Sequence, residues 1–226
     1  EGLRIIGDPK EYAKEYYDDG ADQIIVTDIV ASLYSRDNLF STIDKLTNNI
    51  FIPITAGGGI KSIKDISQLL NVGADRVLVN SFLFENNNIL DLISNRFGAQ
   101  FLTIMIEAKK IDNQYYCMTN HGRDNSGILV DKWLDYLSEK NFGELAIYSV
   151  DNDGLNNGFD KNLLEIVKSH NLNVPIIYGG GLNDNENISK AIESYNLSGV
   201  SLSSSLHFKK MTIKSIKKYL LSKKFR

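Results

Sequence analysis

Short apolar, β-branched runs alternate along this chain with longer stretches whose apolar residues recur every three to four positions. The runs at 23–28, 52–56, 76–80, 101–107, 144–150, 175–178 and 199–203 carry few polar interruptions and read as buried parallel strands. The segments 9–19, 36–48, 63–71, 89–96, 129–140, 161–169, 185–195 and 213–221 keep the 3.6-residue period, and several open on Asp or Ser, as helix N-caps do. Strand and helix alternating in this order imply right-handed βαβ units and an α/β fold.

An internal repeat sharpens this. Ile52-Pro53-Ile54-Thr55-Ala56-Gly57-Gly58-Gly59-Ile60 recurs as Val174-Pro175-Ile176-Ile177-Tyr178-Gly179-Gly180-Gly181-Leu182. The acid-tipped run ending at Asp28 precedes the first copy by about the interval at which the run reaching Asp151 and Asp153 precedes the second. Seven strands and eight helices in two matching halves predict a single (β/α)8 TIM barrel, with half-barrels at about 1–98 and 99–226. The opening strand is expected upstream of Glu1, as the counterpart of the acid-tipped strand at 101–107. The polar excursion at 109–127 predicts a small hairpin over the barrel mouth.

Composition narrows the function classes. With 226 residues, 42% hydrophobic and 23% charged, the chain can bury a barrel-sized core. A net charge of −3 offers no general affinity for nucleic acid, and the basic C-terminal segment reads as the solvated face of a closing helix. Cys117 is the single cysteine, so no internal disulfide forms; packing is its expected role, in a reducing compartment. No run approaches the length of a bilayer span and no signal peptide opens the chain, so a cytoplasmic location is expected.

In barrels the C-terminal strand ends carry the chemistry. Asp28, Glu107, Asp151 and Asp153 fall at or just past such ends. One acid there ordinarily caps a helix, but four on one face can hold different pKa values and act as general acid and base. Each glycine run ends a strand with exposed N–H groups. Asn80-Ser81 follows the next strand in one half and Ser203-Ser204-Ser205 in the other, so each cluster reads as a phosphate cradle. Two cradles around an acidic mouth suit an elongated substrate with a phosphate at each end. His121 and His207 lack partners at metal-ligand spacing, His170 reads as a helix-end contact, and Trp133 reads as core. Neither a metal nor a cofactor is implied, and no Walker or dinucleotide fingerprint occurs.

Gly7-Asp8-Pro9, Thr27-Asp28-Ile29-Val30-Ala31-Ser32, Ala56-Gly57-Gly58-Gly59-Ile60, Gly73-Ala74-Asp75, Asn80-Ser81, Phe97-Gly98-Ala99-Gln100, Gly122-Arg123, Gly143-Glu144 and Ser149-Val150-Asp151-Asn152-Asp153-Gly154 together resemble the cyclase subunit of imidazole glycerol phosphate synthase. The resemblance runs from Gly7 to about Phe208. It implies a lyase of histidine biosynthesis within a glutamine amidotransferase complex. Such a barrel receives ammonia through its interior from a glutaminase subunit and uses it on a bisphosphate aminoimidazole-carboxamide ribonucleotide.

Carried over by motif, Gly59, Asn80 and Ser81 would hold one phosphate, and Gly154, Gly180, Ser204 and Ser205 the other. Glu107 would be one catalytic carboxylate, where the family usually has aspartate; the other would be an aspartate upstream of Glu1. Asp28 and Asp153 match accessory acids. The ring guarding the ammonia entrance maps to Gln23, Arg76 and Glu144, with Gln23 replacing an acid, and Asp75 and Gln100 match positions facing the glutaminase. Glu107 in Ile106-Glu107-Ala108-Lys109 and the run Ile29-Val30-Ala31-Ser32-Leu33-Tyr34 also resemble a branch of the family thought to pass ammonia to a sugar amidotransferase of surface-glycan assembly. That branch is the alternative expectation, with cyclisation weak or absent.

Overall fold

The computed structural model describes residues 7–28, 38–85 and 88–225. The motif residues Ile29 to Tyr34 and the predicted helix start at Arg36 lie outside the described residues. Seven strands, β1 (Ile24–Thr27), β2 (Ile54–Gly57), β3 (Arg76–Val79), β4 (Leu102–Ile111), β7 (Glu144–Ser149), β8 (Ile176–Gly179) and β9 (Gly199–Ser201), pair in chain order, every pair parallel. These are the seven predicted runs. Parallel neighbours need crossovers, and the predicted helices supply them: α1 (Pro9–Asp18), α2 (Asn38–Thr47), α3 (Ile63–Asn71), α5 (Ile89–Phe97), α6 (Val130–Ser138), α7 (Lys161–Ser169), α8 (Asn185–Tyr195) and α10 (Ile213–Ser222). Two four-residue helices, α4 (Phe82–Glu85) and α9 (Ser204–His207), were not legible, being too short for a periodic signal. Parallel strands in chain order, alternating with helices, make this a (β/α)8 TIM-barrel fold.

The helices start where the sequence can cap them. Ser62 accepts from Asp65 N, Asp160 from Leu163 N and Asp184 from Asn187 N, each satisfying an N–H with no intrahelical partner. Their apolar faces close on the sheet: Ile66, Leu69, Leu134, Leu164 and Ile188 are essentially inaccessible, as are Ile54, Val77, Ile104 and Ile147 beneath them. Cys117 joins this core, where burial pushes its thiol up to about 12. Trp133 packs between Phe84 and Tyr136, as a core residue should.

The two glycine loops use the same device. Gly58, at φ +95°, would place a Cβ 2.4 Å from the carbonyl oxygen of Asp28; Gly180, at φ +105°, would place one 2.6 Å from that of Ser149. The glycines are required because neighbouring backbones touch there. This equivalence corrects the predicted repeat, since the residue matching Asp28 is Ser149 and not an acid. Asp151 and Asp153 lie two and four positions further on, in the loop after β7. Gly180→Ala is expected to destabilise the protein by about 2–3 kcal/mol, lowering Tm by roughly 5–10 °C in a thermal melt.

The excursion at 109–127 is a hairpin, as predicted, but built differently. β4 runs on past Glu107 to Ile111 and turns back through β5 (Gln114–Thr119), which pairs antiparallel with β6 (Asp124–Leu129). Two antiparallel strands are thus grafted onto the end of a barrel strand.

Candidate active site

Side chains alternate across a strand, so Thr103, Met105 and Glu107 of β4 share one face, as do Glu144, Ala146 and Tyr148 of β7. The register pairs them as Thr103 with Glu144, Met105 with Ala146 and Glu107 with Tyr148. One end of this face carries a polar ring and the other a carboxylate, about 13 Å apart along β4.

At the N-terminal end of the strands, Glu144 gathers the ring. Its Oε2 pairs with the Arg76 guanidinium, and its Oε1 accepts from Thr103 Oγ1 at 3.1 Å and from Gln23 Nε2 at 3.4 Å. Gln23 also donates to Thr55 Oγ1 at 2.6 Å. Glu144 is 3% exposed, and Thr55 and Thr103 are sealed. The three predicted gate residues therefore meet in one network, joined by two threonines that sequence reading missed. A buried carboxylate needs such a set of donors, and the guanidinium provides the charge.

Asp75 and Gln100 sit exposed beside the same end. Asp75 clasps the start of β2, its Oδ2 accepting from Ile54 N at 2.8 Å. Phe51, 79% exposed, lies just ahead of that strand and meets Tyr17 edge-on.

At the opposite end, Glu107 is 8% exposed. Asn80 Nδ2 donates to its Oε2 at 2.8 Å, and the Gly122 N–H donates to the same carboxylate. Burial outweighs these two bonds, and with the nearby Asp153 charge it lifts the carboxyl to about 7, despite the opposing pull of Arg123. Its pKa is thus moved towards neutral pH, the condition that favours general acid–base work.

The turn between β5 and β6 closes over this carboxylate. Asn120, His121 and Gly122 all have positive φ, a tight reversal that aims the N–H groups of Asn120 and Gly122 inward. Asn120 N donates to Ser81 Oγ at 3.1 Å, His121 is hydrogen-bonded to the Asp28 backbone, and Gly122 sits against Val150. The turn thus links Asp28, Ser81 and Glu107. Burial and Arg123 lower the His121 pKa, against the opposing pull of Asp28. The Asn-His-Gly sequence was the available signal for this turn, but its role in holding Glu107 was missed.

The other predicted residues divide. Asp153 is exposed and close enough to Glu107 to raise it. Asp151 instead accepts from Lys110 N at 2.7 Å and pins the β4 extension. Asn80 spends its amide N–H groups on Glu107 and on Met118 O, leaving its buried Oδ1 without a partner. Ser205 is buried and donates to Leu182 O at 2.9 Å, whereas Ser204 is half-buried at the start of α9. Gly59, Gly154 and Gly180 all have positive φ, which turns their loops at the C-terminal end of the sheet. Beneath the hairpin, Asp160 accepts from Tyr115 at 2.7 Å and Ser149 at 3.2 Å, locking β5 to the start of α7.

Comparison with known proteins adds to this geometry. The chain matches the Histidine biosynthesis protein family over residues 1–212. The protein named imidazole glycerol phosphate synthase subunit HisF from Legionella pneumophila is 42% identical over 183 residues, 80% of this chain and 86% of that one. The proteins of the same name from Natranaerobius thermophilus and Prochlorococcus marinus are 35% and 38% identical, each over 98% of this chain and 88% of theirs. Among the described residues, no helix is long and apolar enough to cross a membrane.

Proposed function

Because this chain belongs to the Histidine biosynthesis protein family, we propose that it is the cyclase subunit of imidazole glycerol phosphate synthase, an enzyme of the lyase class within a glutamine amidotransferase complex. In this reading ammonia from a glutaminase partner and a bisphosphate aminoimidazole-carboxamide ribonucleotide give imidazole glycerol phosphate. The names of the relatives favour this over delivery to a sugar amidotransferase. The whole chain, 1–226, acts as one barrel domain.

The observation that carries the reading is Glu107, a buried carboxyl raised to about 7 at the mouth of a family barrel. Ring closure requires one proton to be taken up and another released near the reacting carbon and nitrogen. A carboxyl ionised in part at neutral pH, oriented by Asn80 and Gly122, can do either. Asp153 supplies negative charge beside it, and Asp28 lies at His121 in the turn that covers it. The glycine loops and Ser81, Ser204 and Ser205 offer N–H and O–H donors to the two phosphates.

Ammonia enters in this reading at Gln23, Arg76 and Glu144, where the exposed Asp75, Gln100 and Phe51 face the glutaminase. The neutral Gln23 donates to Glu144 where an acid would repel it, so the altered ring stays closed by hydrogen bonds.

The test is turnover of that ribonucleotide by the full-length protein under saturating ammonium at alkaline pH, followed by loss of substrate absorbance. Ammonium-dependent consumption, with imidazole glycerol phosphate as product, is expected. An ordered, folded protein that binds the nucleotide without consuming it would remove the cyclase reading.

A further inference from the structure

The outer wall of the barrel carries a cluster that the cyclase reading does not use. Asp131 and Asp135 stand one helical turn apart on α6, and His170 caps the C-terminal end of the neighbouring α7. The His170 side chain is only 9% exposed. Its Nδ1 lies 2.9 Å from the Ile166 carbonyl oxygen, and a carbonyl can only accept, so Nδ1 carries the hydrogen. The nearby Ser169 hydroxyl does not compete, since it donates to the same carbonyl at 2.7 Å.

In the neutral ring this leaves Nε2 as a bare lone pair. It points at two further acceptors, Asp135 Oδ1 at 3.3 Å and Asp131 Oδ1 at 3.5 Å. Three electron-pair donors facing one another at the negative end of a helix are held together by positive charge between them, supplied by a proton on Nε2 or by a metal ion.

The spacing indicates which cation. A tetrahedral ion with bonds of about 2.0–2.1 Å to nitrogen and oxygen holds its ligand atoms about 3.3–3.4 Å apart. The two His-to-carboxylate distances lie at that edge length, and the three donor atoms are all within 4.8 Å of one another. The Ile166 carbonyl plays the outer-shell part that fixes the tautomer and aims a metal-bound histidine.

Lys132 reaches the other oxygens, 3.1 Å from Asp135 Oδ2 and 3.8 Å from Asp131 Oδ2, so Oδ1 of each acid stays turned towards the imidazole. Both aspartates are more than half exposed, which opens a fourth position to water.

We propose that Asp131, Asp135 and His170 form a binding site for a divalent transition-metal ion of the zinc class, clamping α6 to α7. One imidazole and two carboxylates suit zinc, cobalt or nickel better than calcium or magnesium, which favour all-oxygen shells. Residues from helices 35 positions apart at their closest show no ligand spacing in sequence, which explains why no metal was predicted.

The test titrates zinc into the tag-free full-length protein after removal of metals by chelation, with calorimetry and cobalt absorption as readouts. One equivalent of zinc is expected, together with the visible bands of tetrahedral cobalt. His170→Gln and the double variant Asp131→Asn, Asp135→Asn are each expected to weaken binding by more than about tenfold. The double variant alters only exposed groups, so it separates loss of the site from loss of folding, checked by circular dichroism. Zinc binding that is absent, or equal in wild type and folded variants, overturns the proposal. So does a His170 ring that keeps both protons in excess zinc, which would make the cluster a simple ion pair.

Discussion

Glu107→Gln is expected to cut ammonium-dependent turnover by about 10³-fold, within the range for loss of a general acid–base group, while making the folded protein more stable above neutral pH. The two effects have one cause. Burial raises the Glu107 carboxyl from 4.5 to about 7, so between those values the native state holds a proton that the unfolded chain has lost. Stability therefore falls as pH rises through this window, and the loss is complete once the folded carboxyl has ionised. The shift corresponds to an upper bound of about 3 kcal/mol.

The amide keeps only one acceptor for the N–H groups of Asn80 and Gly122, so the stabilisation realised at pH 8.5 should be about 1–2 kcal/mol. Urea unfolding at pH 5 and 8.5 measures it: the wild type should lose stability between the two, and the glutamine variant should lose less. The pH profile of kcat/KM in the wild type should bend near 7. Equal stability changes in both proteins would show that the carboxyl titrates in its ordinary range. Glu107→Asp retracts the carboxylate by about 1.5 Å from Asn80, and a misplacement of that order is expected to lower turnover by about 10²-fold.

The parts of this site that could be read from sequence were those fixed by local pattern. The seven parallel strands are buried runs and the eight long helices carry a clear period, so both emerged with bounds close to the observed ones. The glycine loops repeat, and their backbone contacts explain the repeat. What sequence could not supply was pairing across the fold. Nothing near Asn80 indicates that its amide would point at Glu107 rather than at a ligand, and nothing near Gly122 indicates a donor to the same carboxylate. The misplaced acid of the second half has the same origin, since Ser149 takes the place matching Asp28 only once the β7 and β8 backbones are in register. The roles of Thr55 and Thr103 follow from a parallel register that brings residues from four strands, and Gln23 just ahead of β1, to one level.

Arg76→Ala is expected to be the most destabilising of the gate substitutions, by about 3 kcal/mol, because it leaves Glu144 buried with its charge uncompensated. The neighbours that remain, Thr103 at 3.1 Å and Gln23 at 3.4 Å, are neutral donors and both serve one oxygen, Oε1. The Oε2 atom loses its partner altogether. Arg76 is 31% exposed along its side chain, so water screens part of the pair, and the lower end of the range for broken buried pairs applies. Glu144→Gln should be milder, about 1 kcal/mol, since the guanidinium can turn to solvent and the amide keeps its bonds to the ring.

The double variant Arg76→Ala, Glu144→Gln should then be more stable than Arg76→Ala alone, because it no longer buries a lone charge. Denaturant midpoints of the three proteins close this cycle. Additive losses would show that Arg76 acts by packing its stem and not by neutralising Glu144. Turnover gives a second reading from the same proteins. If the ring is the ammonia entrance, Arg76→Ala should depress glutamine-supported turnover in the complex more than ammonium-supported turnover, because only the former obliges ammonia to pass between Gln23, Arg76 and Glu144 on its way along β4 to Glu107.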